Sequence, residues 1–439
     1  MKRTTYQNLS AWKTSHNRKP MLIHGARQVG KTHLVRQLGQ EFDSFVEVNL
    51  EQNQTAGQFF MGDLYPKEIL MKLSALLQKE IIPSKTLLFI DEIQAVPRAI
   101  IALRYFYEEI PELHVVAAGS LIDFAIQQVG VPVGRIDSLY LYPLSFVEFL
   151  QATKREQGLV TIAGHDPNSM MDKTLHSEYM KWLGEYLFVG GMPAAVDSWA
   201  NRRDPIEVTR VHQGLISDYR QDFEKYARKV QLKYVRLIFD ESPLFLGRTF
   251  KYSELSGGYK KRELAPCLTL LETAGVIQRV YYSAGQGLPL GAQANLDYFK
   301  LTFVDVALAQ SVLGLDRTQW IFDPEHAAIN QGNVVESFVG QELLAYSDPH
   351  QKARLYYWAR MDPSASAEVD YIHQIGPYII PIEVKSGSTG WLKSLRIFLE
   401  GHLGSPYGLR ISGRNYGTDE GIHSYPLYAV KQATTSARF

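Results

Sequence analysis

Gly25-Ala26-Arg27-Gln28-Val29-Gly30-Lys31-Thr32, led in by the apolar run Pro20-Met21-Leu22-Ile23-His24, constrains this chain more than any other stretch. Glycines at both ends of the loop let the backbone turn successive N–H groups onto an anion. A lysine then reaches the β- and γ-phosphate oxygens, and the following hydroxyl ligates Mg²⁺. Beyond Thr32, Leu34, Val35 and Leu38 recur at helical spacing. Strand, loop and helix follow in the order a phosphate cradle needs, and the helix N-terminus adds its own partial positive charge. The expected nucleotide contacts run from Gly25 to His33, with Lys31 on the phosphates and Thr32 on the metal.

A second element makes hydrolysis chemically accessible. Thr86-Leu87-Leu88-Phe89-Ile90-Asp91-Glu92 is an apolar run closed by two carboxylates. A strand covered on both faces has this pattern, and its carboxyl end lies beside the phosphate loop in a doubly wound sheet. Asp91 is placed to hold Mg²⁺ through water, and Glu92 to orient or deprotonate an attacking water. The alternative is that both acids open the next helix. Leu113 to Gly119 repeats the apolar pattern and ends at Ser120, either a reporter of the γ-phosphate or a helix cap. Arg135 is either a transition-state arginine, in the same or a neighbouring subunit, or one half of a surface salt bridge.

Composition narrows the setting. With 439 residues, 45% hydrophobic and 21% charged, the chain has material for two or three cores. The 46 basic and 46 acidic residues balance, so bulk charge argues neither for nor against nucleic acid. The single cysteine, Cys267, sits among Leu264, Leu268 and Leu271 and reads as a small buried hydrophobe; one thiol makes no internal disulfide and suits a reducing interior. No apolar signal core follows Met1, and no run reaches membrane-span length, which predicts a cytoplasmic protein without a membrane partner.

Arg18 to Thr32, Leu87 to Gln94, Ala118-Gly119-Ser120 and Gly134 to Phe149 together resemble the AAA-type ATPases of bacteria and archaea that carry a conserved C-terminal domain of unknown function. The likeness continues through Tyr186 to Pro193 and Tyr219 to Phe223. It implies a P-loop Lys31, a Walker B Asp91-Glu92, a sensor-like Ser120 and an arginine-finger position at Arg135. No second sensor arginine is assigned. The residues alone leave ATP and GTP open, and the resemblance implies ATP.

Four regions are expected: an ATPase domain at 1–155, a helical lid or linker at 156–229, a winged-helix-like domain at 230–319 and a nuclease-like α/β domain at 320–439. Within the second, Gln157 to Ser169 reads as a loop, and Tyr179–Phe188 and Val208–Tyr226 as helices joined across Gly190-Gly191-Met192-Pro193. In the third, helices at Gln231–Phe239, Tyr252–Ser256 and Glu263–Gly275 precede a hairpin, which are the parts of a winged helix. Lys260, Lys261 and Arg262 suit phosphates, but the Leu, Ala, Pro and Cys that follow Glu263 read no bases, which favours packing or linking over DNA reading.

In the last region, strand alternation puts Glu383 and Lys385 on the face opposite Ile382 and Val384, and a tight turn brings Asp370 beside them. With Glu336 on the preceding helix, this set resembles the PD-(D/E)XK nuclease superfamily, though without the proline before Asp370. It implies a divalent ion on Glu336, Asp370 and Glu383, with Lys385 supporting a hydroxide. Surface salt bridges are the alternative, and the superfamily includes members that bind without cutting. Gly404 to Gly421 reads as a long loop without a DNA-tracking stripe.

The expected function is Mg²⁺-dependent ATP hydrolysis coupled to the C-terminal domain, with nucleic acid or further copies of the chain as partners. The alternatives are a non-hydrolysing nucleotide switch or scaffold, and a metal-dependent DNA endonuclease regulated by ATP.

Overall fold

In the computed structural model, which describes residues 1–130, 132–360, 367–387 and 392–435, the apolar runs of the N-terminal region pair into one parallel sheet. Its strands are β1 (Met21–His24), β2 (Ser44–Asn49), β3 (Thr86–Asp91), β4 (His114–Ala118) and β5 (Asp137–Tyr140), in the order β2-β3-β4-β1-β5. β1, β3 and β4 are buried at every residue, as expected of strands covered on both faces. Along β3, Leu87 and Phe89 join the core that holds Leu34, Val35 and Leu38, whereas Leu88 and Ile90 join the one that holds Leu73 and Leu103. Because all five strands are parallel, the loop after β1 and the end of β3 emerge at the same edge, with β4 between them.

The helical region that follows differs from its sequence reading in two places. Gln157 to Ser169 is not a loop throughout: Glu156–Gly164 is a helix, and the turn is confined to the residues after it. Its glycine and asparagine content favours a loop, but Ile162 is buried and a Cβ at Gly158 would run into the Trp182 ring of helix Lys173–Val189. Tertiary packing overrides propensity here. A further helix, Pro193–Arg202, then separates Lys173–Val189 from the long helix Pro205–Tyr226, with proline at its first turn.

Helices Leu232–Glu241 and Lys261–Thr273, with a 3₁₀ turn at Tyr252–Glu254 between them, lead into the hairpin β6 (Ile277–Ser283) and β7 (Ala294–Phe303). Helix Lys261–Thr273 buries Leu264, Cys267, Leu268 and Leu271, and burial raises the Cys267 thiol to about 11. The hairpin is one end of an eight-stranded sheet, because β6 pairs in parallel with β8 (Leu355–Ala359). β9 (Glu368–Ile375), β10 (Tyr378–Lys385), β11 (Gly408–Ser412), β12 (Gly417–Asp419) and β13 (Ile422–Pro426) complete it in the order β12-β13-β11-β10-β9-β8-β6-β7. One sheet therefore runs across residue 320.

The expected loop at Gly404 to Gly421 contains β11, buried along its whole length and parallel to both β10 and β13. Five residues that begin at Gly408 and are followed by Gly413, with Arg410 at the centre, carry too little alternation to be read as a strand; the parallel partners on either side fix the conformation. Among the described residues no helix is long and apolar enough to cross a membrane.

Candidate nucleotide site and a second charged cluster

The loop after β1 has the backbone its glycines allow. Gly25 takes φ 146°, Gln28 64° and Gly30 98°, and a Cβ on Gly25 would run into the carbonyl oxygen of Leu141. Val29 is fully buried and anchors the loop from below. Lys31, at the first turn of helix Lys31–Gly39, folds back and donates to the carbonyl oxygens of Gly25 and Ala26, both at 2.8 Å. Its ammonium is buried, and desolvation lowers its pKa to about 8 against the opposing pull of Glu92 and Asp91. An anion bound in the cradle would supply the counter-charge that burial takes away.

Thr32 donates to Asp91 Oδ2 at 3.1 Å, and the other Asp91 oxygen accepts the Glu92 N–H at 3.1 Å. Burial, followed by the charge of Glu92, raises the Asp91 pKa. Glu92 has φ 49° and is not in a helix; the turn Ile93–Ala95 begins after it. Its carboxylate accepts from Gln94 Nε2 at 2.5 Å. The residues present fit a phosphate and its Mg²⁺: a buried ammonium on the loop, and a hydroxyl and a carboxylate that already meet.

Three residues of helix Pro205–Tyr226 grip the other side of the loop. Asp222 pairs with the Arg27 guanidinium, Asp218 accepts from Gln28 Nε2 at 2.6 Å, and Tyr219 donates to the Arg27 carbonyl at 2.8 Å. The same helix stacks Tyr226 on Phe124, with ring centres 5.0 Å apart. At the end of β1, His24 Nδ1 lies 2.9 Å from Asp123, whose second oxygen meets Lys352 of the C-terminal region at 3.0 Å.

Ser120 lines a cleft with Gly25, Ala26 and Asp123; the helix after it has Leu121 at the N-cap position and no side-chain cap. Arg135 lies at the surface and donates to Glu108 at 2.8 Å. His33 is exposed on the helix that carries Lys31.

The C-terminal residues also converge. β9 and β10 pair from Tyr378 opposite Ile375 to Ile382 opposite Tyr371, and Asp370 accepts the Val384 N–H at 2.7 Å. Glu383 pairs with Lys385 at 2.5 Å. At the centre stands Lys300 of β7, buried, 2.8 Å from Glu336, 2.5 Å from Glu368 and 3.8 Å from Asp370. Burial and the neighbouring Asp370 push both Glu336 and Glu383 upward, and burial raises Asp370. Among the described residues no group of three His, Cys, Asp or Glu side chains is arranged to hold a metal ion.

Lys300, Gln94, Asp218 and Glu368 escape a motif-based reading. Lys300 has the clearest signal, a lone cation inside the apolar run Phe299-Lys300-Leu301-Thr302-Phe303, since a lysine buried in a strand needs acids around it.

Three family models match successive parts of the chain: an AAA domain over residues 17–150, a domain of unknown function, DUF8612, over 180–319, and a second, DUF4143, over 331–430. No curated protein matches the chain. Solved structures with some likeness include the Walker-type ATPase PABY2304 of Pyrococcus abyssi, at 15% identity and TM-score 0.44, covering 70% of this chain and 94% of that one. The ORC1 protein of Aeropyrum pernix in complex with DNA is 12% identical at TM-score 0.27, covering 70% and 89%. PCH-2 of C. elegans is 13% identical at TM-score 0.25, covering 46% and 62%. At these TM-scores the structural likenesses carry no argument. The family models do: the chain has an N-terminal AAA P-loop domain and a C-terminal DUF4143 domain.

Proposed function

We propose that this chain binds ATP at Gly25 to His33 and hydrolyses it with Mg²⁺, and that the nucleotide state is passed to the regions beyond the AAA domain. The observation that carries the reading is the meeting of Thr32 and Asp91 at 3.1 Å beside the buried Lys31. Thr32 and Asp91 would hold Mg²⁺, which neutralises phosphate charge when bound. Lys31 gives its ammonium to the phosphates in place of the Gly25 and Ala26 carbonyls. Glu92, steadied by Gln94, orients a water or takes its proton. Ser120, which lines a cleft with Gly25 and Ala26, would report the terminal phosphate, and Arg135 could complete the site of a second copy only by leaving Glu108.

Coupling has two routes. Asp218, Tyr219 and Asp222 hold the loop itself, and the chain of contacts His24, Asp123, Lys352 reaches the C-terminal region. For that region the reading is a scaffold or binding module. The winged-helix-like segment favours the same role, because helix Lys261–Thr273 spends its apolar face on packing and Lys261 is paired with Asp297 at 3.0 Å.

Glu92→Gln separates hydrolysis from switching. The variant should bind an ATP analogue as wild type does and lose phosphate release by roughly a hundredfold or more. Phosphate release at the same background rate from wild type and E92Q would leave a nucleotide switch that does not hydrolyse, and equal release above background would remove Glu92 from the chemistry.

A further inference from the structure

The acids that a PD-(D/E)XK-like metal centre would use surround an ammonium group of the chain itself. Lys300 enters from β7, within the DUF8612 region, while Glu336, Glu368 and Asp370 belong to DUF4143. Helix Gly332–Ala345, which carries Glu336, packs on β7, β8 and β10 and so closes over the lysine. Lys300 is 2% exposed, and its Nζ contacts three carboxylates at 2.8, 2.5 and 3.8 Å. Tyr357 covers it, with the ring centre 5.3 Å from Nζ.

A divalent ion held by Glu336 and Asp370 would occupy the same few ångströms and meet this ammonium with like charge in a desolvated pocket. One oxygen of Asp370 accepts a backbone N–H and one oxygen of Glu383 pairs with Lys385, while the second Glu383 oxygen is buried without a hydrogen-bond partner among the described residues. The residues as placed do not fit a metal.

We infer that Lys300 is the resident cation of this cluster, standing where a divalent ion would otherwise bind, so that Glu336, Glu368 and Asp370 form a metal-independent latch between the β6–β7 hairpin and the C-terminal domain. The geometry favours a latch over a cutting centre because removing either side would leave buried charge uncompensated. The inference does not rest on the ATPase reading, since none of these residues touches the P-loop site.

The test is Mn²⁺ binding to the nucleotide-free, full-length chain, followed by the electron paramagnetic resonance of free Mn²⁺, for wild type, Asp370→Asn, Lys300→Ala and the double variant. Any Mn²⁺ bound at the P-loop is common to all four. The expected result is equal binding by wild type and D370N, and one additional ion bound by K300A that the double variant loses. A wild-type site that D370N removes would overturn the inference, as would a folded K300A that binds no more Mn²⁺ than wild type. If K300A does not fold, wild type against D370N still decides: equal binding supports the latch, and an Asp370-dependent ion refutes it.

Discussion

The hydroxyl of Thr32 and the carboxylate of Asp91 meet at 3.1 Å although 59 residues separate them. One begins the helix after β1 and the other ends β3, and the parallel sheet brings both to one edge across β4. If this pair holds Mg²⁺, Thr32→Ala should lower phosphate release by roughly a hundredfold, and Thr32→Ser, which keeps the hydroxyl, should retain most of it. Steady-state rates over a range of Mg²⁺ concentrations check this, with the loss in T32A partly relieved by high Mg²⁺.

Gly25 tests the cradle itself. Its φ of 146° and the Leu141 carbonyl beside it leave no place for a methyl group. Gly25→Ala should cost about 1–3 kcal/mol of stability and abolish ATP binding, read by thermal denaturation and by titration with a fluorescent ATP analogue. Gly62, where a Cβ meets nothing within 4 Å, is the control position, and Gly62→Ala should leave both unchanged.

The grip of helix Pro205–Tyr226 on the loop should appear in affinity more than in chemistry. Asp222 is nearly buried and paired with Arg27, so Asp222→Ala removes a constraint that keeps the loop in its binding shape. ATP affinity should fall by roughly fivefold, about 1 kcal/mol, with the rate at saturating ATP little changed. Parallel measurement of kcat and KM separates the two.

Glu342 gives stability a pH dependence. It is buried, accepts the Phe146 N–H at 2.9 Å and a hydrogen bond from Tyr346, and burial raises its pKa from 4.5 to about 8. The folded chain holds this proton more tightly than the unfolded chain, so the stabilisation is complete below about pH 4.5 and is lost as pH rises to about 8. Glu342→Gln, which keeps an acceptor and carries no charge, should flatten the decline of Tm over that interval.

Much of the P-loop site is legible in the sequence because its chemistry is local. Gly25 to Thr32 sets its own backbone, and Leu87 to Asp91 announces both a buried strand and the carboxylate at its end. What stays hidden is what other segments bring. Asp218 and Asp222 sit on a helix whose spacing names no partner for them, and only the packing of that helix turns them toward Gln28 and Arg27. Helix Glu156–Gly164 and β11 owe their conformation to neighbours distant in sequence. Asp370 and Glu383 follow from strand alternation and a tight turn, whereas Lys300 reaches Asp370 from a hairpin that joins their sheet through the β6–β8 pairing.

Phosphate release from Mg²⁺-ATP by purified wild type and by Lys31→Ala tests the central claim most directly. Lys31 is the one ammonium on the loop that carries Gly25 and Ala26. Catalysis at this site predicts release by wild type that requires Mg²⁺ and falls to background in K31A, with the variant's circular dichroism unchanged. Equal release by the two proteins would contradict it.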